Sequence, residues 1–295
     1  MRAGSVAVIG LPNAGKSTLV NRLVGEKIAI VSDKPQTTRK RILGVARLAD
    51  AEIALFDTPG IHRPEHRMNA AMVRDATDAL ATCDLVVWVV DASSRSGPGE
   101  ARLLDLFRKT QRPVFVALNK IDLVSRPSLL PRIADLSGRH TFEEIVPISA
   151  KTGDGVDRLG QLLAQRLPEG APAYPADFLT ATSDTEWIGE VIREKLLERT
   201  RQELPFASAV VVESVREQEE KEMTVVTASI IVEKEGQKGI VVGKGGSMIR
   251  EIGSAARQEL EQQAQRRYFL DLRVKVRERW RDDEGFLSRV VGEQE

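Results

Sequence analysis

The sequence predicts an α/β domain with a mostly parallel sheet, followed by a smaller α+β domain. Short apolar runs alternate with helical patterns as far as residue 167, and the central runs are apolar enough to be buried on both faces. Pro168-Glu169-Gly170-Ala171-Pro172 and Pro175 then have linker composition. Beyond them the order becomes helix, two strands, helix, loop, helix, strand. The expected boundaries are 1–170, a linker at 171–184, and 185–295, in keeping with about two domains for 295 residues.

The chain opens on Val6-Ala7-Val8-Ile9, a short strand that runs into Gly10-Leu11-Pro12-Asn13-Ala14-Gly15-Lys16-Ser17. A helical pattern follows, with Leu19, Val20, Leu23 and Val24 on one face. Residues 28–41 are polar and have no period, so they read as a loop. Residues 42–48 and 52–56, separated by Ala49-Asp50-Ala51, predict an antiparallel hairpin. Next come a helix over 68–81, a buried strand over 85–90, a helix over 101–107 and a second buried strand over 114–118. A weaker helix near 129–136, a last strand at 145–148 and a helix over 156–167 complete the half.

Four short motifs each follow the carboxyl end of a predicted strand, the edge at which open α/β sheets bind ligands. The first matches G-x-x-x-x-G-K-[ST], a loop whose backbone N–H groups cradle phosphate oxygens at a helix N-terminus. Gly10, Asn13, Ala14, Gly15 and Thr18 belong to that cradle, Lys16 is placed over the β- and γ-phosphates, and Ser17 is placed to ligate Mg²⁺. In Asp57-Thr58-Pro59-Gly60 the carboxylate serves Mg²⁺ and the Gly60 N–H addresses the γ-phosphate. In Asn119-Lys120-Ile121-Asp122, Asp122 can accept from both N1–H and the exocyclic amine of guanine. Adenine lacks that donor pair, so the carboxylate selects GTP. Asn119 and the Ala150 N–H, within Ser149-Ala150-Lys151, would address the other guanine edge while Lys120 covers the base plane.

These residues resemble a translation-factor-class small GTPase domain over the first 170 or so positions. Asn13, Gln36-Thr37-Thr38-Arg39 and Asp57-Thr58-Pro59-Gly60-Ile61 resemble the bacterial Era family in particular. The resemblance implies that Thr38 closes on Mg²⁺ when GTP is bound, with Thr37 as the alternative. Lys16, Thr38, Asp57, Gly60 and Asn13 are then the catalytic set. Ras-like enzymes carry a water-orienting glutamine where this chain has Ile61, which has no hydrogen-bonding side chain. Hydrolysis must use another group. Related GTPases hold K⁺ with an asparagine at the Asn13 position, so Asn13 is the candidate K⁺ ligand, a purely structural asparagine being the alternative. His62 is a general-base candidate by location alone; with His66 it reads more simply as an ordinary loop residue.

In the second half, Ile188, Val191, Ile192 and Leu196 recur at helical spacing, and residues 209–215 and 225–232 predict strands. The acidic stretch at 217–222 between them reads as a solvated hairpin turn, an acidic interaction surface being the alternative. Gly243-Lys244-Gly245-Gly246 follows Ile240-Val241-Val242 and precedes a helix carrying Ile249, Ile252, Ala256 and Leu260. G-x-x-G with a basic residue between two helices is the signature of a KH domain, whose loop clamps a nucleic-acid backbone. The element order resembles the type II KH arrangement, and its place after a GTPase domain again resembles Era. Residues 265–281 hold seven basic side chains (Arg266, Arg267, Arg273, Lys275, Arg277, Arg279, Arg281) against Asp271 and Glu278, with Tyr268, Phe269 and Trp280 interleaved. Arg273, Lys275 and Arg277 form a basic stripe suited to RNA, or the charged solvent face of an amphipathic strand.

Forty-three basic and 43 acidic residues balance, so nucleic-acid affinity must come from a local patch. The single cysteine, Cys83, fits a reducing cytoplasm, and no signal peptide or membrane span is expected. The family resemblance implies GTP and GDP, the single-stranded 3′ region of 16S rRNA and the 30S ribosomal subunit as partners. It also implies a role in 16S rRNA processing, a monomer, and peripheral association with the inner membrane. Two other readings stand beside it: a tRNA-modifying GTPase, for whose further modules the length leaves no room, and a non-hydrolysing GTP sensor that binds a protein.

Overall fold

A computed structural model describes residues 1–61, 67–219 and 222–291. Two compact units divide the chain: the first runs to Ala181, and the second comprises the residues from Thr182 onward together with short segments that include Ser32–Lys34. His62 and His66, Glu220 and Lys221 of the acidic turn, and the last four residues lie outside the described residues.

In the first unit, β1 (Arg2–Gly10), β3 (Ala51–Asp57), β4 (Leu85–Asp91), β5 (Val114–Asn119) and β6 (Glu144–Pro147) run parallel, and β2 (Ile42–Leu48) is antiparallel to β3. The sheet order is β2-β3-β1-β4-β5-β6. Helices cover both faces, which is why β4 is apolar from Leu85 through Val90 and buried throughout. On one face α1 (Lys16–Val24) and α5 (Val156–Arg166) bury Leu19, Val20, Leu159 and Leu163 against Val6, Val8, Val87 and Val89. On the other, α2 (Arg67–Thr82), α3 (Pro98–Phe107) and α4 (Arg126–Arg139) pack Ala76, Leu80, Leu103, Phe107 and Leu136 against Ile9, Val86, Trp88 and Val116. Cys83 is buried in that second core.

Residues 173–180 lie along the open edge of the sheet. Val45 N–H donates to Leu179 O at 2.9 Å, and Arg47 donates to Phe178 O at 2.8 Å. Glu52, 2% exposed, accepts from the N–H groups of Ala173 and Tyr174 at 2.7 and 3.3 Å. Proline and glycine content marked this stretch as a linker, but it carried no signal for pairing along an edge strand.

In the second unit Ser183 forms a capping box with Glu186 and starts α6 (Asp184–Arg199). Then follow β7 (Ser208–Gln218), β8 (Met223–Val232), α7 (Glu235–Val242), α8 (Ser247–Ala264), β9 (Arg267–Val276) and α9 (Glu284–Val291). β7 and β8 are antiparallel, and β9 joins β8 in parallel. Trp280, grouped by sequence with the nucleic-acid patch, is instead fully buried: its indole N–H donates to Ala207 O at 3.0 Å and its ring meets Phe286 edge-on. An aromatic between basic residues looks like a stacking platform, yet here it anchors the chain end to the core.

Candidate nucleotide site and nucleic-acid interface

The four motifs meet at one end of the sheet because register aligns the strand ends. Val8 pairs with Asp57, Asp91 with Asn119, and Leu118 with Pro147. The Thr58 hydroxyl donates to Val8 O at 2.7 Å, fixing the turn beside Asp57. Gly60 approaches the phosphate loop so closely that a Cβ there would lie 2.8 Å from Pro12 N. Ile61 N–H donates to Gly10 O at 3.3 Å and the Ile61 side chain is buried with Ile9 and Trp88. The residue that replaces a water-orienting glutamine thus serves as core.

Lys16, 6% exposed, lies under the loop with Nζ 3.2 Å from Leu11 O. Burial, partly offset by the charge of Asp57, lowers its pKa to about 8. Ser17 Oγ donates to Asp57 Oδ2 at 2.6 Å and lies 2.8 Å from Thr38 Oγ1, which in turn is 3.2 Å from Asp57 Oδ2. Burial pushes the Asp57 carboxyl up despite Lys16 and these two hydroxyls. Its Oδ1 is buried and accepts no hydrogen bond. Three hard oxygen groups converge, one with an unsatisfied anionic atom, and this donor chemistry fits Mg²⁺. Thr38 is the threonine within reach of the other two. Asn13 is exposed in the left-handed region (φ 61°), at the crest of the phosphate loop.

At the base-recognition end, Asn119 Nδ2 donates to Ala14 O at 2.8 Å and its Oδ1 accepts the Ala150 N–H at 2.9 Å. Both groups expected on the guanine edge are therefore bonded to each other, and they tie three loops together. Asp122 is exposed and accepts the Ser149 hydroxyl at 2.6 Å. Lys120, held at φ 66°, is paired with Asp91 at 2.7 Å. Hydrogen bonds from Lys120 and Ser93 outweigh burial and hold the Asp91 carboxyl below its usual range.

Two supporting residues escaped the sequence reading. Arg22 donates to Lys151 O at 2.7 Å, fastening the base loop to α1. Asn21 accepts from Ile28 and Ala29 N–H and donates to Ala29 O at 2.7 Å, fixing the start of the 28–41 loop. Asparagine disfavours a helix interior, which was the available signal for Asn21. Arg22 carried none.

In the second unit, Gly243, Gly245 and Gly246 all have positive φ (72°, 59° and 79°). A Cβ at Gly243 would lie 2.8 Å from Met248 N, so the loop can turn tightly into α8 only with glycine there. Lys244 is exposed at its tip, and Arg250 braces it by donating to Gly245 O at 2.8 Å. The basic stripe is more tightly engaged than its sequence suggested. Arg273 pairs with Asp271, Lys275 with Glu213, and Arg277 with Asp283 while also stacking over Phe286 at 4.5 Å.

A P-loop at the strand ends of a mostly parallel sheet, on one chain with an αββααβ unit bearing G-x-x-G, defines a P-loop GTPase joined to a type II KH domain. Residues 5–120 match the family model described as 50S ribosome-binding GTPase, and residues 204–281 match that of the KH domain. GTPase Era of Geobacter metallireducens is 46% identical over 98% of this chain and 97% of its own, and that of Heliobacterium modesticaldum is 44% identical over 95% and 94%. The chain belongs to the Era family of GTPases. The fold also superposes at a TM-score of 0.95, with 37% identity and 98% coverage of each chain, on Era in complex with MgGDPNP and nucleotides 1506–1542 of 16S ribosomal RNA. Aquifex aeolicus Era, as a variant bound to GDP and AlF4⁻, gives the same TM-score and identity over 98% and 99%.

Proposed function

We propose that this GTPase uses its nucleotide state to control how the KH unit holds the single-stranded 3′ region of 16S rRNA, during rRNA processing and assembly of the 30S subunit. The observation that carries the switch is the convergence of Ser17, Thr38 and Asp57, because Thr38 belongs to the irregular 28–41 loop. The part of the loop that the Thr38 hydroxyl ties to the site can be ordered or released by what occupies the site. Ser17, Thr38 and Asp57 would hold Mg²⁺, which supplies charge neutralisation of the β- and γ-phosphates when bound. Lys16 adds a positive charge from beneath, and Gly60 offers its N–H to the γ-phosphate. Asp122, oriented by Ser149, selects guanine. Asn13 is the proposed K⁺ ligand that compensates for Ile61. The chain acts as a cytoplasmic monomer whose membrane contact is peripheral; among the described residues no helix is long and apolar enough to cross a membrane.

Ile61 also favours a second reading, a GTP sensor that does not hydrolyse its ligand. Phosphate release from GTP, measured with and without the 16S 3′-terminal RNA in potassium and in sodium buffer, separates the two. Turnover that rises with RNA and with potassium is expected. Bound GTP that survives all four conditions would sink the hydrolytic switch.

A further inference from the structure

One face of the KH sheet is covered by α6, α7 and α8; on the other, Ala209 and Ile231 are buried at one end and the face opens toward Arg216 and Phe269. The even-numbered residues of β9 (Leu270, Leu272, Val274 and Val276) pack with Val241, Ile252, Ala256 and Leu260. The odd-numbered residues look the other way, so Arg273 and Lys275 lie on the sheet face opposite the two helices that carry the G-x-x-G loop between them. Register completes that outer face: Phe269 stands beside Val225 and then Arg216, Asp271 beside Thr227 and Ser214, and Arg273 beside Ser229. Phe269 is 55% exposed, and among the large exposed hydrophobics of the described residues it is the one aromatic ring. A single exposed apolar side chain needs no explanation by itself. Its surroundings supply one.

Arg216, Arg273 and Lys275 stand on this face against Glu213 and Asp271, while Arg267 at the start of β9 shares a cavity with Glu219, Glu222 and Glu261. The exposed pairs of Arg273 with Asp271 and Lys275 with Glu213 contribute little to folding and leave both cations free to exchange toward phosphate. Arg273 and Lys275 are two residues apart on one strand, about 7 Å, comparable with one step of an extended nucleotide chain. The cross-strand neighbour of Phe269 is Val225, but Arg216, Thr227 and Ser214 stand around that valine, so the ring is not the centre of a broad apolar patch of the kind a protein partner buries. An aromatic ring on a sheet, flanked by guanidinium groups, is the arrangement on which unpaired bases stack.

We infer that the outer face of β7, β8 and β9 is a second platform for single-stranded RNA. One base stacks on Phe269 and the backbone runs past Arg273 and Lys275, while the G-x-x-G loop holds a separate segment of the same strand. The inference rests on the RNA-binding reading of the KH unit and adds a second contact surface to it.

Fluorescence anisotropy of the full-length chain with two RNAs tests this. One RNA has about six nucleotides, enough for a loop that holds about four, and the other has about twenty. Phe269→Ala should weaken the long RNA about tenfold and leave the short one unchanged, while Phe269→Trp should retain affinity and be quenched by the long RNA. Arg273→Ala should lower the salt slope for the long RNA by about one. Because Phe269 is exposed, circular dichroism should show all three variants folded. Equal affinity of wild type and Phe269→Ala for the long RNA would overturn the platform. So would an effect of Phe269→Ala confined to sedimentation, which would mark a protein contact. A wild-type chain that ignores the short RNA would overturn the G-x-x-G reading instead, and the long-RNA comparison would still decide the platform.

Discussion

Asn119 donates to the carbonyl of Ala14 at 2.8 Å, so a residue of the Asn119-Lys120-Ile121-Asp122 motif clamps the phosphate loop. The two positions are far apart in sequence and meet only because β1, β4 and β5 are adjacent in the sheet. Gly15 completes the fit: a Cβ there would lie 2.3 Å from Asn119 Nδ2. Asn119→Ala removes a buried donor and a buried acceptor together and strands the Ala150 N–H. The expected loss is about 2 kcal/mol in urea unfolding, with a faster release of a fluorescent GDP analogue. Wild-type release with reduced stability would mean that the clamp serves folding alone.

Burial works against the charged form of Asp57. Its carboxyl is buried and pushed up, and Oδ1 has no hydrogen-bond partner. Asp57→Asn keeps an oxygen for the hydroxyls of Ser17 and Thr38 while removing the charge. The ligand-free chain should therefore gain about 1 kcal/mol in thermal unfolding, and Mg²⁺-dependent GTP binding should be lost. A destabilised ligand-free variant would contradict the balance drawn here between desolvation and hydrogen bonding.

Lys16 predicts a pH dependence of definite sign. Its pKa of about 8 in the folded chain is below the ordinary 10.5, so the folded state sheds this proton first. Stability of the ligand-free chain from this group is lowest below pH 8 and rises as pH climbs toward 10.5. Nucleotide binding runs the other way, because the phosphates need the ammonium. Titration calorimetry with GDP should show affinity falling above pH 8, by up to about tenfold per pH unit, and Lys16→Met should remove the dependence.

Much of this was legible in the chain. Gly10 through Ser17, Asp57 through Gly60, and Asn119 through Asp122 announce themselves because phosphate and guanine chemistry demand particular residues at short range. The αββααβ order was readable for a similar reason, since period and glycine placement are local. What stayed hidden depends on distant partners: the hold of Arg22 on Lys151 O, the bonding of Asn119 to Ala150, and the packing of residues 173–180 along β2. Trp280 shows the converse error. Local company among arginines suggested a stacking surface, and tertiary packing made it core. Trp280→Phe keeps most of the volume but drops the indole bond to Ala207 O, so a loss of about 1 kcal/mol with unchanged RNA affinity is expected.

Glu52 links the sheet edge to the segment that precedes the second unit. It is buried on β3, accepts from Ala173 and Tyr174 N–H, and stands 3.5 Å from Arg47, which itself donates to Phe178 O. Neighbouring β2 begins at Ile42, directly after the 28–41 loop, so the strand that carries this segment is also the exit from the loop containing Thr38. Glu52→Ala leaves two backbone N–H groups without acceptors and Arg47 without its carboxylate. Hydrogen exchange at residues 173–180 should accelerate about 10- to 100-fold, with a global loss of about 1–3 kcal/mol. If the segment also transmits the state of the 28–41 loop, stimulation of GTP turnover by RNA should shrink while basal turnover holds. Fast exchange with full stimulation would confine Glu52 to anchoring the segment.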